Sequence, residues 1–332
     1  MTSPFWKTNW FRVIIGTLIS VVFLALALKD VPLNDVAQAF TRINYFWVAL
    51  GIVASFAQSW LRTVRAIQLY YPWQKGLRVP QMLGITLISQ MLNIVVPWRI
   101  GEIARIYLVG EIEKRSKTQT LATLAVEKFF DTLMLLVLLL SIPPFMALPD
   151  WLEGPREGIV ITTLALFAIA FILLLSEDFL FRLVTRLPLP WGKQFISANL
   201  RLALTSLDVL KRWDLHLGLQ ALSILIWFLG VAINYFAFLA LNLQLPFIAA
   251  FLLMAVLQFG SLVPSSPGKV GVFQYLCILT LGLFSVDKRI GLTYGILLYL
   301  IAYGTPVGLG ILSLWWGGVN LQRLTSSAER TP

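Results

Sequence analysis

Arg99, Glu102 and Arg105 stand three residues apart, and Glu127 and Asp131 stand four apart. On helices each set shares one face. Guanidinium groups and carboxylates so arranged can pair with one another, hold a charged or zwitterionic ligand, or carry protons. Arg99 or Arg105 with Glu127 or Asp131 is the expected pairing. Two chemistries fit it: a salt bridge that locks the chain, or a polar site for a charged group. Asn93 just upstream adds an amide, and Lys269, far downstream, adds a cation. With Cys277 as its one cysteine and His216 as its one histidine, the chain cannot form an intrachain disulfide. It also has almost no ligands for zinc or haem. No metal and no cofactor are expected.

The elements that must position these charges are apolar. Of 332 residues, 58% are hydrophobic and only 13% charged, about half the charged fraction of a soluble domain. Mean hydropathy is +0.81, which excludes a disordered chain and predicts an all-α, polytopic transmembrane helix bundle. Spans are expected at Val13 to Leu28, Tyr45 to Leu61, Val79 to Trp98, Thr132 to Leu148 and Ile159 to Ser176. Further spans are expected from Leu217 to Gly268, Val270 to Val286 and Ile290 to Leu321. Pro32 to Asn44 carries Val36, Ala39, Phe40 and Ile43 at helical spacing, an interfacial helix. Residues 179–213 read as a basic amphipathic connector on the membrane surface. The net charge of +10 would invite nucleic acid in a soluble protein; here it is an orientation signal. Most basic residues fall on one side when both termini are cytoplasmic.

Two of the apolar stretches are broken. Pro97 and Gly101 interrupt the first, and Pro264, Pro267, Gly268 and Gly271 the second. Non-helical backbone at membrane depth persists only against protein or a watery cavity. Residues 1–332 therefore read as a single integral membrane domain. A first half, 45–148, holds a cytoplasmic-side re-entrant hairpin near 79–110. A second half, 217–321, holds an outer-side hairpin near 247–284. Gly/Pro breaks in corresponding positions of two halves point to an inverted repeat. These six residues are the expected structural and gating positions, and helix starts at Gly101 and Gly271 would offer positive dipole ends to an anion. The second break is not a phosphate-binding P-loop, because the required glycine–lysine spacing is absent.

Together, Asn93, Pro97, Arg99, Gly101, Glu102 and Arg105, then Glu127, Lys128 and Asp131, then Pro264, Pro267, Gly268 and Gly271 resemble one motif set. It is that of the lysylphosphatidylglycerol synthase transmembrane-region family, which includes the flippase half of multiple peptide resistance factors. The resemblance runs from about Arg12 to Leu321. It implies a flippase-like bundle with two re-entrant hairpins, and a central polar site lined by Arg99, Glu102, Arg105, Glu127 and Asp131. Two departures stand out. The sequence stops at Pro332 without a synthase domain, so lipid lysinylation is not expected, and a non-enzyme is the preferred reading. Lys269 and Gln274 occupy positions where the family often has a glycine and an acid, making the outer gate more positive.

The expected function is a lipid translocator in the cell membrane, moving a phospholipid or polyprenyl-linked molecule between leaflets. Asn93, Arg99, Glu102, Arg105, Glu127, Asp131 and Lys269 are its expected substrate contacts. A headgroup crossing bare hydrocarbon meets a large desolvation cost, which a polar path lowers. The rivals are an intramembrane enzyme with Glu127 or Asp131 as base and a non-transporting scaffold that regulates lipid synthesis. Expected partners are membrane lipids, a separate lipid-modifying enzyme and a second copy of the chain, but no nucleic acid.

Overall fold

The computed structural model describes residues 20–29, 31–96, 100–142, 212–260 and 267–316, with isolated positions at 18 and between 146 and 168. Pro97, Arg99, Pro264, the connector up to residue 211 and most of the expected span from Ile159 lie outside the described residues.

Among the described residues every regular element is helical. In chain order these are α1 (20–28), α2 (Leu33–Thr41), α3 (Tyr45–Gln68), α4 (Val79–Val95), α5 (Ile100–Ile112) and α6 (Lys117–Ser141). Then come α7 (Trp213–Ala240), α8 (Phe247–Gly260), a 3-10 turn (Pro267–Lys269), α9 (Val272–Gly282) and α10 (Lys288–Tyr299). A π-helical turn (Leu300–Gly304) joins α10 to α11 (Thr305–Trp316). The chain is an all-α membrane helix bundle. Leu215–Ala240 and Lys288–Trp315, of 26 and 28 residues, are long and apolar enough to span, each roughly 40 Å at 1.5 Å per residue. Leu217 (70% exposed), Val53, Phe228 and Ile224 are bare on the surface, as lipid-facing side chains should be.

Helix boundaries have local causes. Asn44 caps α3, its Oδ1 accepting from the Phe46 N–H at 3.1 Å. Asp287 caps α10 through the Arg289 N–H at 2.8 Å. α7 stops where Asn242 turns left-handed at φ 55°, with Leu243 N–H closing back on the Phe238 carbonyl at 2.9 Å, a glycine-type C-terminal closure made with asparagine. Pro246 then prevents continuation. α6 begins at Lys117, well before the expected span at Thr132, because its polar first turns still bury Gln119, Thr120 and Thr123.

The chain divides into two compact units. Unit 1 comprises Met1–Trp60, Leu87–Ile103 and Trp227–Arg323; unit 2 comprises Leu61–Thr86, Ala104–Ile226 and Leu324–Pro332. In unit 1, Ala27, Val31, Val36 and Leu292 form a buried apolar cluster, which packs α1 and α2 on α10. α9 lies against both α8 and α10, and Cys277 is a free thiol buried within it. In unit 2, Leu69, Val126, Phe130 and Leu219 form the corresponding cluster between α3, α6 and α7.

Candidate functional site

Unit 2 carries the charges. Arg62 and Arg65, three apart on α3, face Glu127 and Asp131, four apart on α6. Arg65 is completely buried. Its Nη2 donates to Asp131 Oδ1 at 2.8 Å and lies 3.6 Å from Glu127 Oε1, while Nη1 donates to Ser223 Oγ of α7 at 3.1 Å. Arg105 of α5, also buried, donates through Nη1 to Glu127 Oε2 at 2.9 Å. Arg62 Nη1 reaches Asp131 Oδ2 at 3.4 Å from the more open side. Glu127 is thus clasped by two guanidinium groups from two helices, and so is Asp131 from one.

Hydroxyls extend the polar wall. Tyr70 Oη donates to Thr120 Oγ1 at 3.0 Å, and Thr123 Oγ1 donates to the Thr120 carbonyl at 2.8 Å. Three guanidinium groups meet two carboxylates here, and Arg65 Nε, buried, has no hydrogen-bond partner. The cluster carries a surplus positive charge. At the loop end of α5, burial pushes the Glu113 carboxyl up, with Arg115 and Arg78 opposing that rise.

The structure brings Arg105, Glu127 and Asp131 together, and adds Arg62 and Arg65. Both follow the apolar run expected to end at Leu61. α3 continues to Gln68, so both sit inside the helix. Their three-residue spacing, complementary to the four-residue spacing of Glu127 and Asp131, was the available signal. Ser223 and Tyr70 had none.

The other expected site residues lie in unit 1 and have different roles. Ser89 Oγ donates to the Gly101 carbonyl at 2.8 Å. A Cβ at Gly101 would strike the Ser89 carbonyl and come 2.7 Å from Asn93 Oδ1. Gly101 and Asn93 therefore set the close approach of α4 and α5. Glu102, half-buried, lies in the first turn of α5. Pro267 opens the 3-10 turn in which Gly268 (φ 73°) and Lys269 (φ 54°) are left-handed. Lys269 is half-buried. Gly271, at φ 89°, starts α9. Its N–H is already taken by Gln274 Oε1 at 2.8 Å, so this helix start has one donor fewer to offer an anion.

The all-α apolar scaffold is consistent with the comparison to known proteins. Residues 13–310 match the family described as lysylphosphatidylglycerol synthase TM region. The chain belongs to that family. A similar protein is the UPF0104 membrane protein MJ1078 of Methanocaldococcus jannaschii, 26% identical over 224 residues, covering 68% of this chain and 93% of the relative. The family match takes in every described member of the charged cluster, from Arg62 to Ser223, and both broken segments. The lysylphosphatidylglycerol synthase TM region therefore encompasses the candidate site in full.

Proposed function

We propose that this chain is a lipid translocator that moves a phospholipid or polyprenyl-linked lipid between the leaflets of the cell membrane. The observation that carries the reading is the buried Arg65–Glu127–Arg105 clasp with its Asp131 extension. A charged side chain in the middle of a membrane helix costs about 2.5–3.5 kcal/mol on insertion scales. A buried ion pair is often no more stabilising than apolar residues of the same volume. Stability alone is therefore a weak reason for five charged groups in one membrane-embedded cluster. A cluster that solvates a headgroup in transit is a better one, and its surplus guanidinium favours headgroups that bring a phosphate.

In this reading both termini are cytoplasmic, and α4–α5 and α8–α9 are re-entrant hairpins of an inverted repeat. The short lengths of α8 and α9, 14 and 11 residues, support hairpin limbs over full spans. Arg105, Glu127 and Asp131, with Arg62 and Arg65, contact the substrate. Asn93, Glu102 and Lys269 lie along the path, and Arg99 is assigned there from the sequence. A separate lipid-modifying enzyme supplies or consumes the lipid, and a second copy of the chain is a possible partner.

Reconstitution into liposomes with fluorescent phosphatidylglycerol or phosphatidylcholine tests this directly. The protein should raise the fraction of label reached by an external quencher, and Arg65→Gln with Glu127→Gln should abolish the rise. Exchange no faster than in empty liposomes, with either lipid, overturns the proposal.

A further inference from the structure

One cavity lies wholly within unit 1 and shares no residue with the charged cluster. Its volume is about 510 Å³, inside the range of about 300–1,000 Å³ common to small-molecule sites. It sits where α7 ends and the chain turns into α8. Trp47, Tyr235, Leu239 and Leu243, all half-buried, wall it, and the exposed Asn242 and Gln244 stand at its mouth. Among the described residues that line it, none is charged.

The fold holds this cavity in shape. Asn44 N–H donates to the Ala240 carbonyl at 2.8 Å, tying the start of α3 to the end of α7. The turn beyond is closed by Asn242 N–H on the Leu239 carbonyl at 3.1 Å and Leu243 N–H on the Phe238 carbonyl at 2.9 Å. Trp47 stacks on Phe236, with ring centroids 5.7 Å apart and planes at 26°. Tyr235 stands edge-to-face with Phe247 at 5.1 Å. Both aromatic walls are therefore set before any ligand arrives, which keeps the ordering cost of binding low. Asn242 serves twice. Its left-handed backbone, φ 55°, is one that glycine adopts most cheaply. Asparagine makes the same turn and also sets an amide at the mouth, two residues from that of Gln244.

These groups select a ligand by elimination and by fit. A phosphate would find no cation here. A quaternary ammonium would find no carboxylate, and Trp47 already spends one face on Phe236, so a cage of ring faces is incomplete. An acyl chain would make no use of the two amides. A sugar ring uses everything present. Its polarised C–H groups suit the electron-rich face or edge contacts of Trp47 and Tyr235, and its hydroxyls both donate to and accept from amides. The position agrees. The span Leu215–Ala240 ends at this cavity, at the boundary where Trp and Tyr gather and headgroups lie.

We propose that this cavity binds the uncharged, hydroxyl-bearing ring of a hexose, presented by a glycolipid headgroup or free in the water phase. Trp47 packs against the ring, and Asn242, Gln244 and Tyr235 Oη bond its hydroxyls. The proposal stands apart from the translocator reading: it concerns what is held at one end of α7, not what crosses.

Binding is measured on the full chain in phosphatidylglycerol nanodiscs. Methyl β-glucopyranoside and methyl β-galactopyranoside are the free probes, read by saturation-transfer NMR. The corresponding monohexosyl diacylglycerols, added as minor lipids, are read by native mass spectrometry of the retained lipid. Wild type should bind at least one hexose probe, and Trp47→Leu and Asn242→Gly should each weaken that binding roughly fivefold. Asn242→Gly keeps the left-handed turn and removes only the amide, so it decides the matter if Trp47→Leu does not fold. Binding of a hexosyl lipid, with or without the free glycoside, assigns the headgroup as source; binding of the glycoside alone assigns a free sugar. No binding of any hexose probe, or binding that Asn242→Gly and Trp47→Leu leave unchanged, overturns the proposal, as does tighter binding of phosphocholine. Intact leaflet exchange without hexose binding overturns the sugar site alone, and hexose binding without exchange counts only against the translocator.

Discussion

The two units handle polarity in opposite ways. In unit 2, among the described residues, charge is buried on regular helix: Arg65, Arg105 and Glu127 sit on uninterrupted turns of α3, α5 and α6 and neutralise one another across them. Among the described residues of unit 1 the buried polar side chains are neutral, Ser59, Ser89, Asn234, Gln274 and Thr293 among them, and its helices are interrupted. The 3-10 turn, the π turn and the left-handed Gly268, Lys269 and Gly271 all fall there. Ser59 Oγ donates to Gln90 Oε1 at 3.0 Å, and Tyr294 Oη donates to the Asn234 carbonyl at 3.0 Å. Fixed charge demands rigid geometry, since a buried ion left without its partner is costly. Neutral hydrogen bonds tolerate rearrangement. Unit 2 thus holds a charge distribution on regular helix, while unit 1 combines neutral hydrogen bonds with interrupted helices.

Removing a carboxylate from unit 2 should have the largest effect. Glu127→Leu strands Arg105 and leaves Arg65 to Asp131 and Ser223, and should lower stability by about 3–5 kcal/mol, read as a drop in Tm in detergent. The double variant Arg105→Met, Glu127→Leu, which leaves the Arg65–Asp131 pair intact, should recover most of that loss. If it also retained lipid exchange, the contrast would collapse, because the charges would then be structural alone. A smaller loss is expected from Gly101→Ala in unit 1. Its methyl meets the Ser89 carbonyl, an overpacking clash worth about 1–3 kcal/mol, measurable in the same melt without altering the charged cluster. The smallest effect belongs to Glu113→Gln. Burial raises that carboxyl in the fold, so its ionised form disfavours folding above both the folded and unfolded pKa. The variant should be slightly more stable than wild type at neutral pH, and the gain should vanish as pH falls through the carboxylate range.

Much of this was legible in the sequence, and what was missed has a physical reason. The all-α membrane bundle followed from hydropathy, because it is a local property. Arg105, Glu127 and Asp131 stood out because charges are scarce. Arg65 did not stand out, because an arginine after an apolar run usually marks the membrane surface. Its burial depends on two carboxylates more than sixty residues away, which no local window contains. The capping of Gly271 by Gln274 is short-range, yet the glutamine's reach back to its own helix start is a rotamer choice that composition does not reveal. The π turn had a sequence cause in Pro306, but proline equally often kinks or ends a helix.

Cys277 lies at 0% exposure in α9, in the unit where the backbone is irregular. A maleimide dye that fluoresces only when conjugated should stay dark on the intact protein and brighten as α9 comes away from its neighbours. The chain thus contains its own melting reporter, specific to one of its two units and silent about the other.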